Sequence, residues 1–580
     1  MLTTINFAFS NDVTSVAVSG GLVAVAVAAP NRTDPGRVFL LDTNGALLGS
    51  FTVGSLPDML TFTPDGTRIL VANEGEATTS SARAAGAANV NPVGSVSVID
   101  LSGGIGSATV QTAGFEAFND DAAALIAEGV RLFVNSPGFA GITVAQDLEP
   151  EYIAIAPDGL SAMVTLQEAN AIALLDLSGS VPVITDVVPL GLKNWLGLPV
   201  DTSDRDGVRF QTHQPLFGMY MPDAIASFTG PDGKTYYVMA NEGDDRDDFI
   251  SETARLSSRD LDNATFLNET ALKSNNELGR LTVPALRGVN GDTDGDGDID
   301  QILSYGARSF SIVDAQGTRV FDSGSEIDQF IAQYYPALFD DGRSDNKGSE
   351  PEGVTIAVVD GRTYAFISLE RFHGTIVYDV TEPTKPTLTT FLTNLGDFNP
   401  ESGFFVSAAD SATGYPLFVV SNEASGTLTV YELRKPQTQG GNGQDQLFGT
   451  ILGETLTGGN GDDFINGNAG NDLLYGGNGA DRLDGGWGDD LLSGGRGNDL
   501  LVTGIGRDII LVERGGGIDV VTDFDLGQDS VRLGEGVTVS RTQTVDHDND
   551  GNLDLLLQFS AGAGSLVLLG VSDPNGVSIL

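Results

Sequence analysis

The chain has 580 residues, enough for more than one domain, and carries 79 acidic against 30 basic residues, a formal net charge of −49. That balance argues against nucleic acid or anionic lipid as a partner. Cysteine is absent, so neither disulfides nor thiolate metal sites are available. No window reaches the length of a membrane span, and MLTTINFAFSNDVT lacks the basic segment and apolar run of a Sec signal peptide.

From about residue 12 to 433, short β-rich runs alternate with turn signals, which predicts an all-β domain. A loose unit recurs five times: LPDMLTFTPDGTRILVANEGE from Leu56, EPEYIAIAPDGLSAMVTLQEAN from Glu149, MPDAIASFTGPDGKTYYVMANEGD from Met221, EPEGVTIAVVDGRTYAFISLERF from Glu350 and NPESGFFVSAADSATGYPLFVVSNEAS from Asn399. Each runs Pro-acid, apolar strand, turn, second apolar strand, glutamate. Third strands follow at 94–101, 171–177, 374–380 and 426–433, and a weaker copy begins at Asp12. A four-stranded unit of roughly forty residues is a propeller blade. Six blades are visible and a seventh is expected within 243–349, with MLTTINFAF completing the last blade. The competing β-sandwich would not repeat this unit five times.

In a propeller the first strand begins, and the second ends, at one mouth of the channel. The expected ring is Asp58 with Glu74, Glu151 with Glu168, Asp223 with Glu242, Glu352 with Glu370, and Glu401 with Glu423. So many carboxylates repel unless a cation or arginines intervene, and Arg205, Arg246 and Arg371 lie beside these motifs. Two roles stay open: a metal-lined or substrate-binding mouth, or hydrogen bonds that support turns between blades.

Inserts interrupt the repeats. Helices are expected over 116–129 and 251–277. GDTDGDGDID places Asp292, Asp294, Asp296, Asp298 and Asp300 around Gly297 like the first half of an EF-hand loop, with Leu303 where a closing glutamate belongs. DHDNDGNLD places Asp546, Asp548, Asp550 and Asp554 in a second such loop. Both are candidate Ca²⁺ sites, the alternative being a solvated acidic turn.

From Gly440 to Leu511 the chain reads in nines: GGNGQDQLF, GTILGETLT, GGNGDDFIN, GNAGNDLLY, GGNGADRLD, GGWGDDLLS, GGRGNDLLV, TGIGRDIIL. The sixth place is acidic throughout (Asp445, Glu454, Asp463, Asp472, Asp481, Asp490, Asp499, Asp508) and the eighth is Leu or Ile. Glycines at places one, two and four permit a tight turn, and a three-residue strand follows whose middle side chain points inward. Stacked turns present carbonyl and carboxylate oxygens to a hard cation, which suits Ca²⁺. Without the ion, the carboxylate rows repel and the apolar column is too thin to fold.

This stretch resembles the RTX calcium-binding nonapeptide repeats. The resemblance implies a parallel β-roll with each ion between turns stacked on one side: Asp463 with Asp481, Asp472 with Asp490, Asp490 with Asp508. Unit two departs, with Leu452 for glycine and Glu454 for Asp. It also implies several Ca²⁺ ions, export by the type I secretion machinery and an extracellular or cell-surface location. GGGIDVVTDFDLGQDSVRL after Leu511 resembles the segment that caps RTX rolls, and LDLLLQFSAGAGSLVLLGVS gives two apolar runs able to continue the roll.

Further upstream, GMYMPDAIASF, YYVMANEGDDRDDF, DTSDRDG, GARSFSIVD, FTPDGTRILVANEGE, GSVSVIDLSGG and SLERFHGTIVYDVTEP resemble the choice-of-anchor I domain over about residues 10–435. That family is named for variable C-terminal attachments; its implied fold is a β-propeller, and some relatives are labelled phosphatase- or phytase-like. The expected domains are a propeller over 1–435, an RTX roll over 436–511 and a cap with secretion signal over 512–580. With only three histidines and no HExxH, GxSxG, P-loop or cysteine, the common secreted hydrolases drop out. Two functions remain: a secreted or surface-associated Ca²⁺-binding propeller with a binding or structural role for an unknown ligand, or a metal-dependent phosphoesterase using the mouth.

Overall fold

The computed structural model describes residues 12–78, 90–134, 136, 141–213, 215–246, 252–394, 396–434, 437–450, 453–548, 551–560 and 562–580. MLTTINFAF, Leu452, Asp550 and the 435/436 boundary fall outside them. The chain divides into two compact units, Met1–Leu388 with Leu392–Tyr431, and Glu432–Leu580 with Thr389–Phe391.

The first unit is a β-propeller. Five antiparallel four-stranded sheets begin with strands Val13–Ser19, Pro57–Phe62, Ile153–Ile155, Ile225–Thr229 and Pro351–Val359, and a three-stranded sheet begins with Pro400–Val406. From Pro57–Phe62 onward, each of these first strands packs on the first strand of the sheet before it, which arranges the sheets as blades. Second strands such as Arg68–Asn73 and Ser161–Leu166 are buried along almost their whole length, because both faces meet neighbouring blades. Tight turns join first and second strands: in the second blade Asp65 accepts from the Thr67 amide at 3.0 Å while Gly66 takes φ +68°.

Among the described residues, 243–349 holds no seventh blade. Ser309–Asp314 and Arg319–Asp322 instead complete the blade begun by Ile225–Thr229 and Thr235–Asn241. Nor is 251–277 a long helix. Thr253–Arg255 is a strand paired with Thr282–Pro284, and the only α-helix described there is Glu269–Leu272. Leu256, Leu261, Phe266 and Leu278 converge instead on a small separate core around Trp195. The expected helix over 116–129 shrinks to Ala122–Glu128, ended by Gly129 at φ +110°.

In the second unit successive nonapeptide strands go alternately to two parallel sheets, so each strand pairs with the one 18 residues away. Leu447, Leu456, Ile465, Leu474, Leu483, Leu492, Leu501 and Ile510 form one inner column, each at most 1% exposed. The stacking runs on past Leu511. Ile518–Val521 pairs with Leu500–Val502 and then Ser565–Leu568, while Ser530–Leu533 pairs with Ile509–Val512 and then Ser578–Ile579. The antiparallel hairpin Val539–Val545 and Asp554–Phe559 ends the larger sheet.

Candidate metal centres

Along the roll the sixth-place carboxylates form two ladders. The amide of Asp463 donates to Asp481 Oδ1 at 2.8 Å, Asp472 to Asp490 at 2.8 Å, Asp481 to Asp499 at 2.9 Å and Asp490 to Asp508 at 2.8 Å. The pairs set out above are therefore stacked neighbours. The second oxygen differs: Oδ2 of Asp463, Asp472, Asp481, Asp490, Asp499 and Asp508 is buried and has no hydrogen-bond partner. First-place glycines make this possible, since a Cβ on Gly458, Gly467, Gly476 or Gly485 would collide with that oxygen.

Burial raises Asp481 to about 6, Asp472 and Asp508 to about 7 and Asp490 to about 8. A buried carboxylate oxygen with no donor is costly unless a cation meets it, so this donor set fits Ca²⁺, which takes carboxylate and carbonyl oxygens. Glu454 keeps the register, its amide donating to Asp472 Oδ1 at 2.7 Å, but its own carboxylate is taken by Thr450. Asp445 likewise has Oδ2 taken, by the Gly441 amide at 2.6 Å.

The propeller mouth is built differently. Leu56, Met221, Glu350 and Asn399, each just before a Pro-acid pair, have φ of 44° to 54°. This left-handed conformation costs a non-glycine residue on the order of 1–3 kcal/mol. Each of these four carbonyls accepts a bond from the end of the second strand: from the amides of Glu74, Gly243, Glu370 and Glu423 respectively, at 2.8–3.0 Å. The same turn recurs in four blades; the blade carrying Glu151 lacks it.

Six of the ten acids form two triads, Asp58–Glu74–Glu151 and Glu242–Glu352–Glu370, with ligand oxygens in each within 4.8 Å of one another. Glu168 adds its charge to the first triad, and Glu401, hydrogen-bonded to Glu423, acts on the second. Asp223 joins neither triad; burial raises it, helped by Glu242, Asp58 and Glu401. Burial is also the main cause that lifts Asp58 to about 6, Glu242, Glu370 and Glu401 to about 7, and Glu352 to about 11.

Unlike the ladder acids of the roll, beside which it is Asp489 that pairs with Arg507 at 2.7 Å, the mouth acids have counter-charges. Lys347 lies 3.3 Å from Glu242 and 2.6 Å from Asp244, and Arg371 lies 3.0 Å from both Glu350 and Glu370. Gln167 donates to Glu242 at 2.8 Å. Beside the first triad, Arg32 pairs with Glu76 at 2.6 Å. Arg246 is not offered to a ligand: it is buried on Asp147 and Glu149 at 3.1 and 2.9 Å. Arg205 is exposed and pairs with Asp204 at 3.2 Å. The sequence reading missed Lys347, Gln167 and Glu350. Only Glu350 carried a signal, as the residue before the Pro351–Glu352 pair.

Asp292, Asp294 and Asp300 come together in the first acidic loop, as do Asp546, Asp548 and Asp554 in the second. Many of these oxygens already serve their own loops. Asp292 accepts from Gly295 and Gly297, Asp294 from Asp296, Asp296 from Asp298, and Asp300 from Thr293. Burial and the neighbouring Asp296 lift Asp298 to about 6. Asp554 accepts from His547 and Gly570, both at 2.8 Å. Leu303 is buried in the strand Ile302–Ser304.

Comparison with known proteins agrees with this division. The choice-of-anchor I domain matches residues 1–383, and the RTX calcium-binding nonapeptide repeat matches 448–483, 457–492 and 484–519. The mesenchyme-specific cell surface glycoprotein of Strongylocentrotus purpuratus is 25% identical over 241 residues, covering 34% of this chain and 30% of that protein. Gigasin-3a of Magallana gigas is 31% identical over 189 residues, covering 27% of this chain and 65% of that protein. The chain thus spans less than two thirds of either relative. Among solved structures, the β-propeller domain of Myceliophteria thermophila Cps50 aligns with a TM-score of 0.33 and 8% identity over 73% of this chain and 84% of that one.

Proposed function

The chain belongs to the choice-of-anchor I domain family, and we propose that it is a secreted or cell-surface protein whose C-terminal roll folds around calcium outside the cell and whose propeller mouth binds a ligand there. The observation that carries this reading is the file of buried Asp Oδ2 atoms without partners in the RTX roll. In a calcium-poor cytosol these carboxylates repel one another and keep the tail open, a form that type I export machinery can thread. Outside, binding free energy becomes folding free energy. The name of the sea-urchin relative, a cell surface glycoprotein, is in keeping with this location.

The test is far-UV circular dichroism of the full chain titrated with Ca²⁺ from EDTA, together with export of the chain with and without 436–580. A β signal that does not change with calcium sinks the first half. Export of the truncated chain at full level sinks the second.

The mouth is read as a binding face with a role for a divalent cation, on the strength of its two triads. A phosphoesterase would need arginines facing the acids, and of the three considered only Arg371 does so. The variant Asp58→Asn/Glu74→Gln removes two ligands of the first triad while conserving shape. Its propeller melting transition should lose any rise produced by Ca²⁺ in the wild type. A wild-type transition that is the same in EDTA and in Ca²⁺ leaves the Pro-acid motif with hydrogen bonding alone.

A further inference from the structure

The carboxylate ladders follow a rule at their ends. Interior members accept the amide of the preceding rung on Oδ1 and leave Oδ2 buried without a partner. At the N-terminal end the second oxygen is capped by an amide four residues upstream: Gly441 for Asp445 and Thr450 for Glu454. By that rule Asp499 and Asp508 are interior members, although each belongs to the last nonapeptide on its side. Their Oδ2 atoms have no partner, and the two residues are 2% and 0% exposed.

Their amides donate onward, Asp499 to Asp519 Oδ1 at 3.2 Å and Asp508 to Asp529 Oδ1 at 3.0 Å. Asp529 then shows the terminal pattern, with Oδ2 taken by the Asp525 amide at 2.8 Å, again four residues upstream. Asp529, Asp489 and Asp523 add negative charge around Asp508, although Asp489 is itself paired with Arg507 at 2.7 Å.

The irregular segment also carries the motif once its insertions are removed. RGGGIDVVT, from Arg514, has glycines at places two and four, Asp519 at six and Val521 at eight. FDLGQDSVR, from Phe524, has Gly527 at four, Asp529 at six and Val531 at eight. Val521 and Val531 extend the inner column, each 0% exposed. Insertion of Val512–Glu513 and then of Asp523 breaks the period of nine but not the stacking.

We propose that the calcium ladders end at Asp519 and Asp529, each closing a further Ca²⁺ position with Asp499 and Asp508 respectively. The inference rests on the calcium reading of the roll. Asp523 serves as the contrast: it takes no ladder amide, accepting instead from the Thr503 and Gly504 amides at 2.8 and 2.9 Å and from the Thr503 hydroxyl at 3.1 Å, and so stands outside the ladder.

The experiment counts calcium bound to the full chain by native mass spectrometry at saturating Ca²⁺, with the Ca²⁺ midpoint read by circular dichroism. Asp519→Asn and Asp529→Asn each keep an acceptor for the amide below while removing the charge. Each should lose one ion and shift the midpoint several-fold upward, the double variant should lose two, and Asp523→Asn should keep the wild-type count. Wild-type counts and midpoints in D519N and D529N overturn the inference and leave both residues as hydrogen-bonding caps. If D529N fails to regain the β signal at saturating Ca²⁺, D519N alone decides. A wild-type chain that binds no calcium overturns the calcium reading itself, a result distinct from failure of these two rungs.

Discussion

Both halves of this molecule concentrate buried carboxylates, yet they answer the same electrostatic problem differently. In the roll the interior ladder acids, Asp463 to Asp508, each meet a backbone amide on one oxygen and nothing on the other. In the mouth, Glu352 also has a buried oxygen without a partner, but most acids are set against Lys347, Arg371 and Arg32, or against each other as in the Glu401–Glu423 pair. A carboxylate matched by side chains supports a fold without an external ion; one left bare in every turn requires a cation. The contrast indicates that dependence on calcium belongs to the roll, whereas any ion at the mouth adds to a domain that already stands.

The largest expected effect follows directly. With EDTA the full chain should lose the β signal and protease resistance of 437–580, while the propeller keeps its melting transition, because its blades bury their own core. Limited proteolysis with mass mapping separates the two regions. Simultaneous collapse of both in EDTA would break the comparison.

Next in size is a packing lesion. Leu483 lies mid-column at 0% exposure, and Leu483→Ala should cost about 3 kcal/mol of the calcium-loaded roll, within the usual range for a buried leucine. The column is only one side chain wide, so the loss should be read as a higher Ca²⁺ midpoint for folding. A midpoint unchanged from wild type would mean that the inner column contributes little beside the ions.

At the mouth the effect should be smaller. Glu352 is held protonated by burial and by Glu242, Asp223 and Glu401, raised to about 11. Glu352→Gln therefore removes little charge at neutral pH and should alter propeller stability in EDTA by less than about 1.5 kcal/mol, as isosteric exchanges do. Destabilisation well beyond that in thermal melts would mean that its ionised form is held by the mouth, and the two regions would be more alike than the geometry indicates.

The roll was legible because parallel stacking gives each ninth residue the same surroundings, so one physical requirement is written eight times. Legibility stopped at Val512–Glu513, where two extra residues break the period while the pairing of Ile518–Val521 with Leu500–Val502 carries on. Blades were legible where strand, turn and strand are contiguous. They were not where a long insert separates partners: Asn241 pairs with Ser309 across the 251–304 elaboration. Six of the ten acids that the Pro-acid motif placed at the mouth come together in two triads, but Lys347 reaches Glu242 across 105 positions and leaves no local mark. Arg246 was misread for a related reason, since its partners Asp147 and Glu149 lie 99 and 97 positions away.

The subtlest difference between the two regions is the sign of the roll's pH dependence. Asp472, Asp490 and Asp508 are raised by burial from 3.8 to about 7, 8 and 7 in the calcium-free fold. Groups raised on folding take up protons as the chain folds, so their contribution is most favourable at low pH and is lost as pH rises through the folded values. In EDTA, residual β structure in the roll should therefore increase as pH falls from 8 to 5. In millimolar Ca²⁺ this dependence should disappear between pH 8 and 5, because the ion holds the carboxylates deprotonated in the fold as they already are in the open chain. The open chain should then release no protons as it folds on calcium at neutral pH, whereas any residual calcium-free roll should release them on binding. Circular dichroism at fixed pH steps, with and without Ca²⁺, measures both slopes. Parallel slopes in the two conditions would mean that protons and calcium do not share these oxygens, and the bare Oδ2 file would need another occupant.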